Sequence, residues 1–484
     1  MATAGDPETG HMGDEDIALT KSQKHGRVNE GSRLLSHDVE QSSRSRLLSY
    51  SHRGGITESL RRLRASTMTV SLLEKPSEDR RASAFMAGWN VSNLIQGTGI
   101  LGVPYAVKMG GWAGVVAILV IAWICCFTGK LLVDCLYEES KRTGQRKRVR
   151  TNYPEVGEAV CPGWGNRIVS IVQVCEMYGG IIMYIVLLAT VFHDMLQTVS
   201  NLDIYTWAVI CAYVAFPGIF IRRVSVIAWI SMFSVFSLMC GLGTLIIYCI
   251  TEYKQMSFKN IPVFNAKTFP IGFGVIVFSY CAHAVFPGVE GSMKEPKKFG
   301  SMMNYSFLLA AVMKCLLGLL SVLRFGADTE QVITVNVNSL AFNYLANAFV
   351  ITNVFLAFPL CMFVVLETWD TKMLPLFPHL QPESKFHWFW LLVTRLLLVT
   401  FALFLAIVVP HFGLLMGFVG SFTGTCLSFV FPCVFHLKLK WKKLHWYDVL
   451  LRCFVIIFGL VCGGFGLVFS AKELVKSFNS QGFK

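Results

Sequence analysis

From residue 84 to residue 471 the chain is a succession of apolar stretches, most of them long enough for the roughly 20 residues that a helix needs to cross a ~30 Å hydrocarbon core. They fall near 84–108, 111–137, 167–198, 203–220, 225–250, 268–291, 302–325, 339–368, 386–409, 412–437 and 446–471, which makes about eleven spans. A water-soluble core has no place for so many all-round apolar helices, so the chain reads as an all-α membrane protein. Its 54% hydrophobic and 15% charged content agrees. Residues 1–83 break the pattern: they are rich in Ser, Arg, Glu and Gly, lack any apolar run of spanning length, and read as a disordered cytosolic tail. Residues 472–484 read as a short C-terminal tail, placed across the membrane by an odd number of spans; a tenfold crossing would return it to the cytosol.

The net charge of +13 finds its explanation in topology rather than in nucleic-acid binding. The tail holds 13 Lys/Arg against 12 Asp/Glu, so nearly all of the excess belongs to the membrane part. No cleavable leader is legible at Met1, and with the first span directing insertion the N-terminus is expected in the cytosol. The cytosolic connections are then 138–166, 221–224, 292–301 and 438–445, which carry Lys141, Arg142, Arg146, Lys147, Arg148, Arg150, Arg222, Arg223, Lys294, Lys297, Lys298, Lys438, Lys440, Lys442 and Lys443. The opposite connections at 199–202, 326–338 and 410–411 hold no Lys or Arg, and only 251–267 and the C-terminal end contribute a few, as the positive-inside rule leads one to expect. Most cysteines, Cys125, Cys126, Cys240, Cys281 and Cys462 among them, lie inside apolar segments, so no disulfide framework is expected.

Two spans are built to break. The first contains Gly97-Thr98-Gly99-Ile100-Leu101-Gly102-Val103-Pro104, although in a helix each Gly costs about 1 kcal/mol relative to Ala and Pro about 3 kcal/mol. Close helix packing accounts for the glycines but not for Pro104 or for Asn90, Asn93, Gln96 and Thr98. Freed backbone groups in hydrocarbon persist only beside a cavity or a polar ligand, so Asn93, Gly97, Thr98, Gly99, Ile100, Leu101 and Gly102 are candidate substrate-binding residues. The sixth span repeats the pattern with Ser279-Tyr280-Cys281-Ala282-His283-Ala284-Val285-Phe286-Pro287-Gly288, which adds Tyr280, Cys281 and His283. Breaks at matching positions of two halves that enter from opposite sides are the sequence mark of inverted repeats in a secondary transporter. Half-helix N-termini suit an anionic group and C-termini a cation, and a zwitterionic amino acid offers both.

Ionisable residues at membrane depth complete the inventory. Glu176 lies roughly 14 Å into the third span at 1.5 Å per residue and is the candidate proton carrier, together with His283. Lys314 in the seventh span, Arg395 in the ninth, and Thr352 and Asn353 in the eighth beside Pro359 form a second tier of coupling residues. The cysteines lack metal-type spacing, the histidines are scattered, and Gly272 and Gly274 precede no Gly-Lys-Ser/Thr. Neither an enzyme, a cofactor nor an ATP-driven pump is expected. A receptor of seven helices conflicts with the span count, and a channel lacks a legible filter.

Several blocks between roughly residues 85 and 470 resemble the vesicular inhibitory amino acid transporter branch of the amino acid/auxin permease superfamily. They are Gly88-Trp89-Asn90-Val91-Ser92-Asn93 with Ile95-Gln96-Gly97, Leu101-Gly102 with Pro104-Tyr105-Ala106, Cys125-Cys126 with Thr128-Gly129-Lys130, and Cys135-Leu136-Tyr137-Glu138-Glu139. Phe269-Pro270-Ile271, Ile276-Val277-Phe278-Ser279-Tyr280, Glu290-Gly291, Val409-Pro410-His411-Phe412 and Leu414-Leu415-Met416-Gly417 continue the series. The resemblance implies a bacterial leucine transporter-like fold, five helices repeated inverted plus one more. It also implies exchange of lumenal protons for cytosolic GABA or glycine in acidic vesicles, with chloride left open as a companion ion. Glu176 matches the branch's third-helix acid, and Lys314 and Arg395 match its charged positions. Thr98-Gly99-Ile100 departs from the bulky apolar triplet of the branch, and Cys281-Ala282-His283 from its usual Thr-Ser-Gln, so the choice of amino acid stays open. A symporter of lysosomal or plasma membrane, coupled to protons or sodium, is the alternative. In the tail, Glu30, Leu34 and Leu35 fit an acidic dileucine pattern of the kind read by clathrin adaptors.

Overall fold

The computed structural model describes residues 83–139, 145–220, 224–258, 261–373 and 386–481. Three sets of expectations fall outside them: the dileucine residues Glu30, Leu34 and Leu35, the basic residues Lys141, Arg142, Arg222 and Arg223, and the rest of the N-terminal tail.

Ser83 opens the first helix by accepting the Met86 amide on its hydroxyl, at 3.2 Å. This helix, α1 (Ala84–Gln96), ends where Gly97 takes φ +30°, a region that side-chain-bearing residues avoid. A tight 3-10 turn, Thr98–Gly102, follows, and Pro104 starts α2 (Val103–Gly110) in the first turn, where its missing N–H does no harm. Gly111 (φ +65°) then lies so close to the Pro262 carbonyl that a Cβ would stand 1.9 Å from the oxygen. The chain reverses there into α3 (Trp112–Asp134).

The only strands among the described residues form a hairpin, β1 (Tyr137–Glu139) against β2 (Arg146–Arg148), with Glu138 opposite Lys147. A short helix, α4 (Tyr153–Val160), leads to α5 (Gly165–Leu196), followed by α6 (Ile204–Ala215) and α7 (Val224–Thr251). The second interruption separates α8 (Phe269–Tyr280) from α9 (Phe286–Ser292). Four long segments come next: α10 (Phe299–Phe325), α11 (Leu340–Met373), α12 (His387–Val408), and a helix that begins as α13 (Phe412–Val419) and ends as α14 (Phe431–Lys440). Pro359 sits inside α11, which continues across it. The last helix, α15, runs Trp446–Gln481. It therefore covers most of the segment expected as a tail, because residues 471–481 contain neither Gly nor Pro and carry a Glu473–Lys476 pair at helical spacing.

Among the described residues, eight helices are long and apolar enough to cross a bilayer, and two shorter apolar ones, Ile204–Phe220 and Phe269–Tyr280, accompany them. Large apolar side chains lie on the outside as well as in the core, and the core holds polar groups. Phe454, Ile457, Val461 and Phe465 on α15, and Leu397, Phe401 and Phe404 on α12, are exposed, while Glu176, His283, Lys314, Asn347, Asn353 and Ser428 are buried. Lipid is the solvent that such a surface fits. The connections also sort into two sets that contact only their own kind in the bonds that follow. At one end Asp134 meets Arg146 (2.6 Å), His436 (3.2 Å) and Lys440 (3.6 Å), Glu138 meets Arg150, and Glu139 meets Lys443. At the other, Trp112 donates to Pro262 (3.1 Å), Lys108 to Thr329 (2.9 Å), and the Gly413 amide to Gln331 (2.8 Å). Two of the four connections expected to be basic, 138–166 and 438–445, thus meet at the first end.

Candidate functional site

The two interruptions meet. A Cβ on Gly99 would lie 3.2 Å from the Ser279 Cα, so the 3-10 turn of the first span rests closely on the end of α8, with room for little more than a glycine. Thr98, Gly99, Ile100, Leu101 and Gly102 are all buried in this contact zone. Met416 of α13 closes it from a third direction, with its methyl 3.5 Å from a Gly99 Cβ and its sulfur 3.0 Å from a Gly102 Cβ.

Helix α5 serves both breaks. The Glu176 carboxyl faces the Cys281 thiol in the second interruption, and two turns further along, the Tyr184 hydroxyl faces Thr98 in the first. Glu176 is 3% exposed and its Oε2 has no hydrogen-bond partner among the described residues. A buried carboxylate left so would be costly, whereas a carboxylic acid or a proton-exchanging group is tolerated. Cys281 is held in place by the Ser428 hydroxyl, which donates to its sulfur at 3.0 Å. Ser428 reaches it because residues Gly420–Gly424 and Cys426–Val430 are wound as π-helix, a widening found often at functional sites. The Leu427 carbonyl in that stretch accepts the Tyr153 hydroxyl of α4 at 2.8 Å.

His283 is fully buried, with its Nε2 3.0 Å from the Thr128 hydroxyl of α3. The neighbouring Gly129 makes this possible: a Cβ there would stand 2.7 Å from the Phe286 ring, so α3 approaches α9 only without one. Lys314, also fully buried, lies between the breaks and donates to the Ile95 carbonyl at 2.9 Å and the Ser279 carbonyl at 2.5 Å, over the face of the Tyr280 ring.

Of the expected site residues, Gly97 to Gly102, Tyr280, Cys281, His283, Glu176 and Lys314 thus form one contiguous region, with Asn93 half-buried one turn before the first break. Three second-tier residues are engaged elsewhere. Asn353 donates its amide to the Ser234 carbonyl and hydroxyl on α7, both at 2.8 Å, which ties α11 to α7. Thr352, about 100° around the helix from its buried neighbour, is exposed and donates to the Ala348 carbonyl of its own helix. Arg395 pairs at 2.9 Å with Asp370, another buried residue, and so has a structural partner of its own. Thr128, Tyr184, Met416 and Ser428 belong to the site and escape a sequence reading. The clustered small residues around Gly417, Gly420 and Gly424 are the only sequence hint of the unusual winding that delivers Ser428.

At the basic end the site is bounded by Glu290 of α9, 1% exposed, which receives the Tyr137 hydroxyl and lies 3.5 Å from Arg148 of the hairpin. Arg148 also donates to the Pro287 carbonyl at 2.8 Å. Outside the spans, the hydrogen bond from Lys443 holds Glu139 below the usual carboxylate range, and the amides of Gly163 and Asn166 do the same for Glu158.

Residues 80–472 match the model of the transmembrane amino acid transporter protein family. The chain is 34% identical over 414 residues to the vesicular inhibitory amino acid transporter of Xenopus tropicalis, spanning 82% of this chain and 78% of that one. It is 33% identical to the human protein of the same name, over 83% of this chain and 78% of that one. It is also 33% identical to the vesicular GABA transporter of Caenorhabditis elegans, over 82% and 81% of the two chains. Among solved structures, a nucleobase-cation-symport-1 family transporter in a closed conformation superposes with a TM-score of 0.50 at 12% identity, covering 84% of this chain and 97% of that one. That likeness concerns the fold, and it is a transporter fold. The chain is an integral membrane protein of the transmembrane amino acid transporter family, and a transporter rather than an enzyme.

Proposed function

We propose that this chain moves a small neutral amino acid of the GABA or glycine class from the cytosol into acidic vesicles in exchange for protons. In this reading it has eleven spans: α1 with α2 makes the first, α8 with α9 the sixth, and five helices repeat inverted around them, with α15 as the eleventh. The N-terminus and the basic end of the bundle face the cytosol. The amino acid binds where the two interruptions meet, its carboxylate toward the amides that open the Thr98–Gly102 turn and its methylene carbons toward Cys281 and Met416.

The observation that carries the proposal is the position of Glu176: a buried acid with an unpartnered oxygen, on the helix that touches both breaks. A proton bound there in one orientation of the site and released in the other links the ion to the movement of the two halves. The names of the relatives support the vesicular setting and the substrate class. The protein in liposomes with an acidic interior is expected to accumulate GABA or glycine against its gradient, and collapse of the pH gradient should end accumulation. Accumulation only with acid or sodium outside would assign the chain to the symporters instead.

A further inference from the structure

Lys314 is placed as no other charged side chain of the site is. Its partners are two carbonyls and a ring rather than a carboxylate. The Nζ lies 2.9 Å from Ile95 O, 2.5 Å from Ser279 O and 3.4 Å from the centroid of the Tyr280 ring. An ammonium has three hydrogens, and three electron-rich surfaces receive them; a neutral amine would turn its lone pair against one of the three. Three electron-rich partners suit an ammonium better than a neutral amine.

The two carbonyls have a common origin. Ile95 is the last residue but one of α1 and Ser279 the last but one of α8, so both oxygens belong to the unsatisfied set at a helix C-terminus. In unbroken helices they would accept the amides of Gly99 and His283, which the interruptions carry away. Each C-terminus presents roughly half a negative charge, so the two together present about one, and the ammonium supplies one positive charge. Paired helix C-termini in a membrane interior call for a cation, commonly a dissolved one. Here the cation is covalently attached, on a stem buried in α10.

We propose that the Lys314 ammonium is the resident cation of this transporter, filling at the junction of α1 and α8 the place a free alkali ion would otherwise take. Substrate binding and movement then need neither sodium nor potassium. The inference rests on the transporter reading above but not on the direction of proton flow.

The test uses purified full-length protein. Its melting temperature is expected to be the same in sodium, potassium and N-methyl-D-glucamine chloride at equal ionic strength; a saturable rise with sodium or potassium would overturn the assignment. Lys314→Ala, which removes ammonium and stem, is expected to melt lower and to recover saturably with ethylammonium or sodium, but not with N-methyl-D-glucamine. Lys314→Met, which keeps the stem without the charge, should melt low and not recover. A Met variant as stable and active as the wild type, or an Ala variant indifferent to ethylammonium and sodium, would overturn the proposal. Where neither variant can be purified, the wild-type salt series decides alone. Counterflow of labelled GABA or glycine in alkali-free liposomes separates the two claims. Absence in every salt contradicts the transporter's proposed substrate, and appearance only with sodium or potassium contradicts the role of Lys314.

Discussion

Gly99 and Ser279 mark the point at which the two interrupted spans touch, at a separation that leaves a Cβ on Gly99 just 3.2 Å from the Ser279 Cα. Because the neighbour is backbone on one side and Met416 on the other, a single methyl can be absorbed by a small shift, but a branched side chain cannot. Gly99→Ala is expected to lower uptake modestly. Gly99→Val adds overpacking of about 1–3 kcal/mol, and uptake should fall about tenfold or more while the protein is still made. Uptake by reconstituted protein, set against the amount of folded protein, checks both.

A different set of glycines is needed for assembly rather than for transport. A Cβ on Gly274 would stand 2.2 Å from both the Gly417 carbonyl and the Ser421 hydroxyl, and one on Gly420 would stand 2.1 Å from the Gly274 carbonyl. The obstacles are mostly backbone and cannot turn aside. Gly274→Val is therefore expected to destabilise the bundle by more than the ~1–3 kcal/mol of ordinary overpacking and to abolish the monodisperse peak in size-exclusion chromatography. A normal elution profile and melting temperature would show that α8 and the π-wound stretch pack otherwise.

The pair Arg395–Asp370 offers a test of structure independent of transport. Both side chains are at least nearly buried, and removing one leaves the other's charge uncompensated. Arg395→Met is expected to cost roughly 3–5 kcal/mol, and the double replacement Arg395→Met with Asp370→Leu should recover most of it. Melting temperatures of the single and double variants check this; a double variant no better than the single one would contradict the pairing.

The carboxylates at the basic end should be silent in the pH profile. Glu139 and Glu158 titrate below their usual range, so the stability they contribute is present above the unfolded carboxylate pKa of about 4.3 and is lost only as the pH falls through their lower folded values. Across the mildly acidic range of vesicles both stay ionised. Glu139→Gln and Glu158→Gln are accordingly expected to leave the shape of the uptake-against-pH curve unchanged, as measured in liposomes of varied internal pH.

Much of this was legible in the residues. The spans follow from apolar length, the interruptions from Gly97, Gly102, Pro104 and Pro287, and the special standing of Glu176 from its depth alone, since each is a local property of the chain. What stayed hidden depends on proximity across the bundle. Lys314 reads as an isolated charge until the ends of α1 and α8 are seen to converge on it. Thr352 and Asn353 are adjacent in sequence, yet one faces outward and the other is buried against Ser234, a distinction set by helix rotation. Ser428 reaches Cys281 only through a π-helical widening that no periodicity of 3.6 residues could announce. The continuation of α15 past residue 471 was hidden for a simpler reason: polar residues end a membrane span without ending a helix.

The central claim is that Glu176 links protons to transport, and Glu176→Gln tests it most directly. Gln keeps the size and polarity of the acid and removes only its proton exchange. In liposomes, this variant is expected to retain counterflow of GABA or glycine while losing accumulation driven by an acidic interior, with uptake independent of internal pH. Accumulation with the wild-type dependence on internal pH would contradict the account and return Glu176 to a structural role.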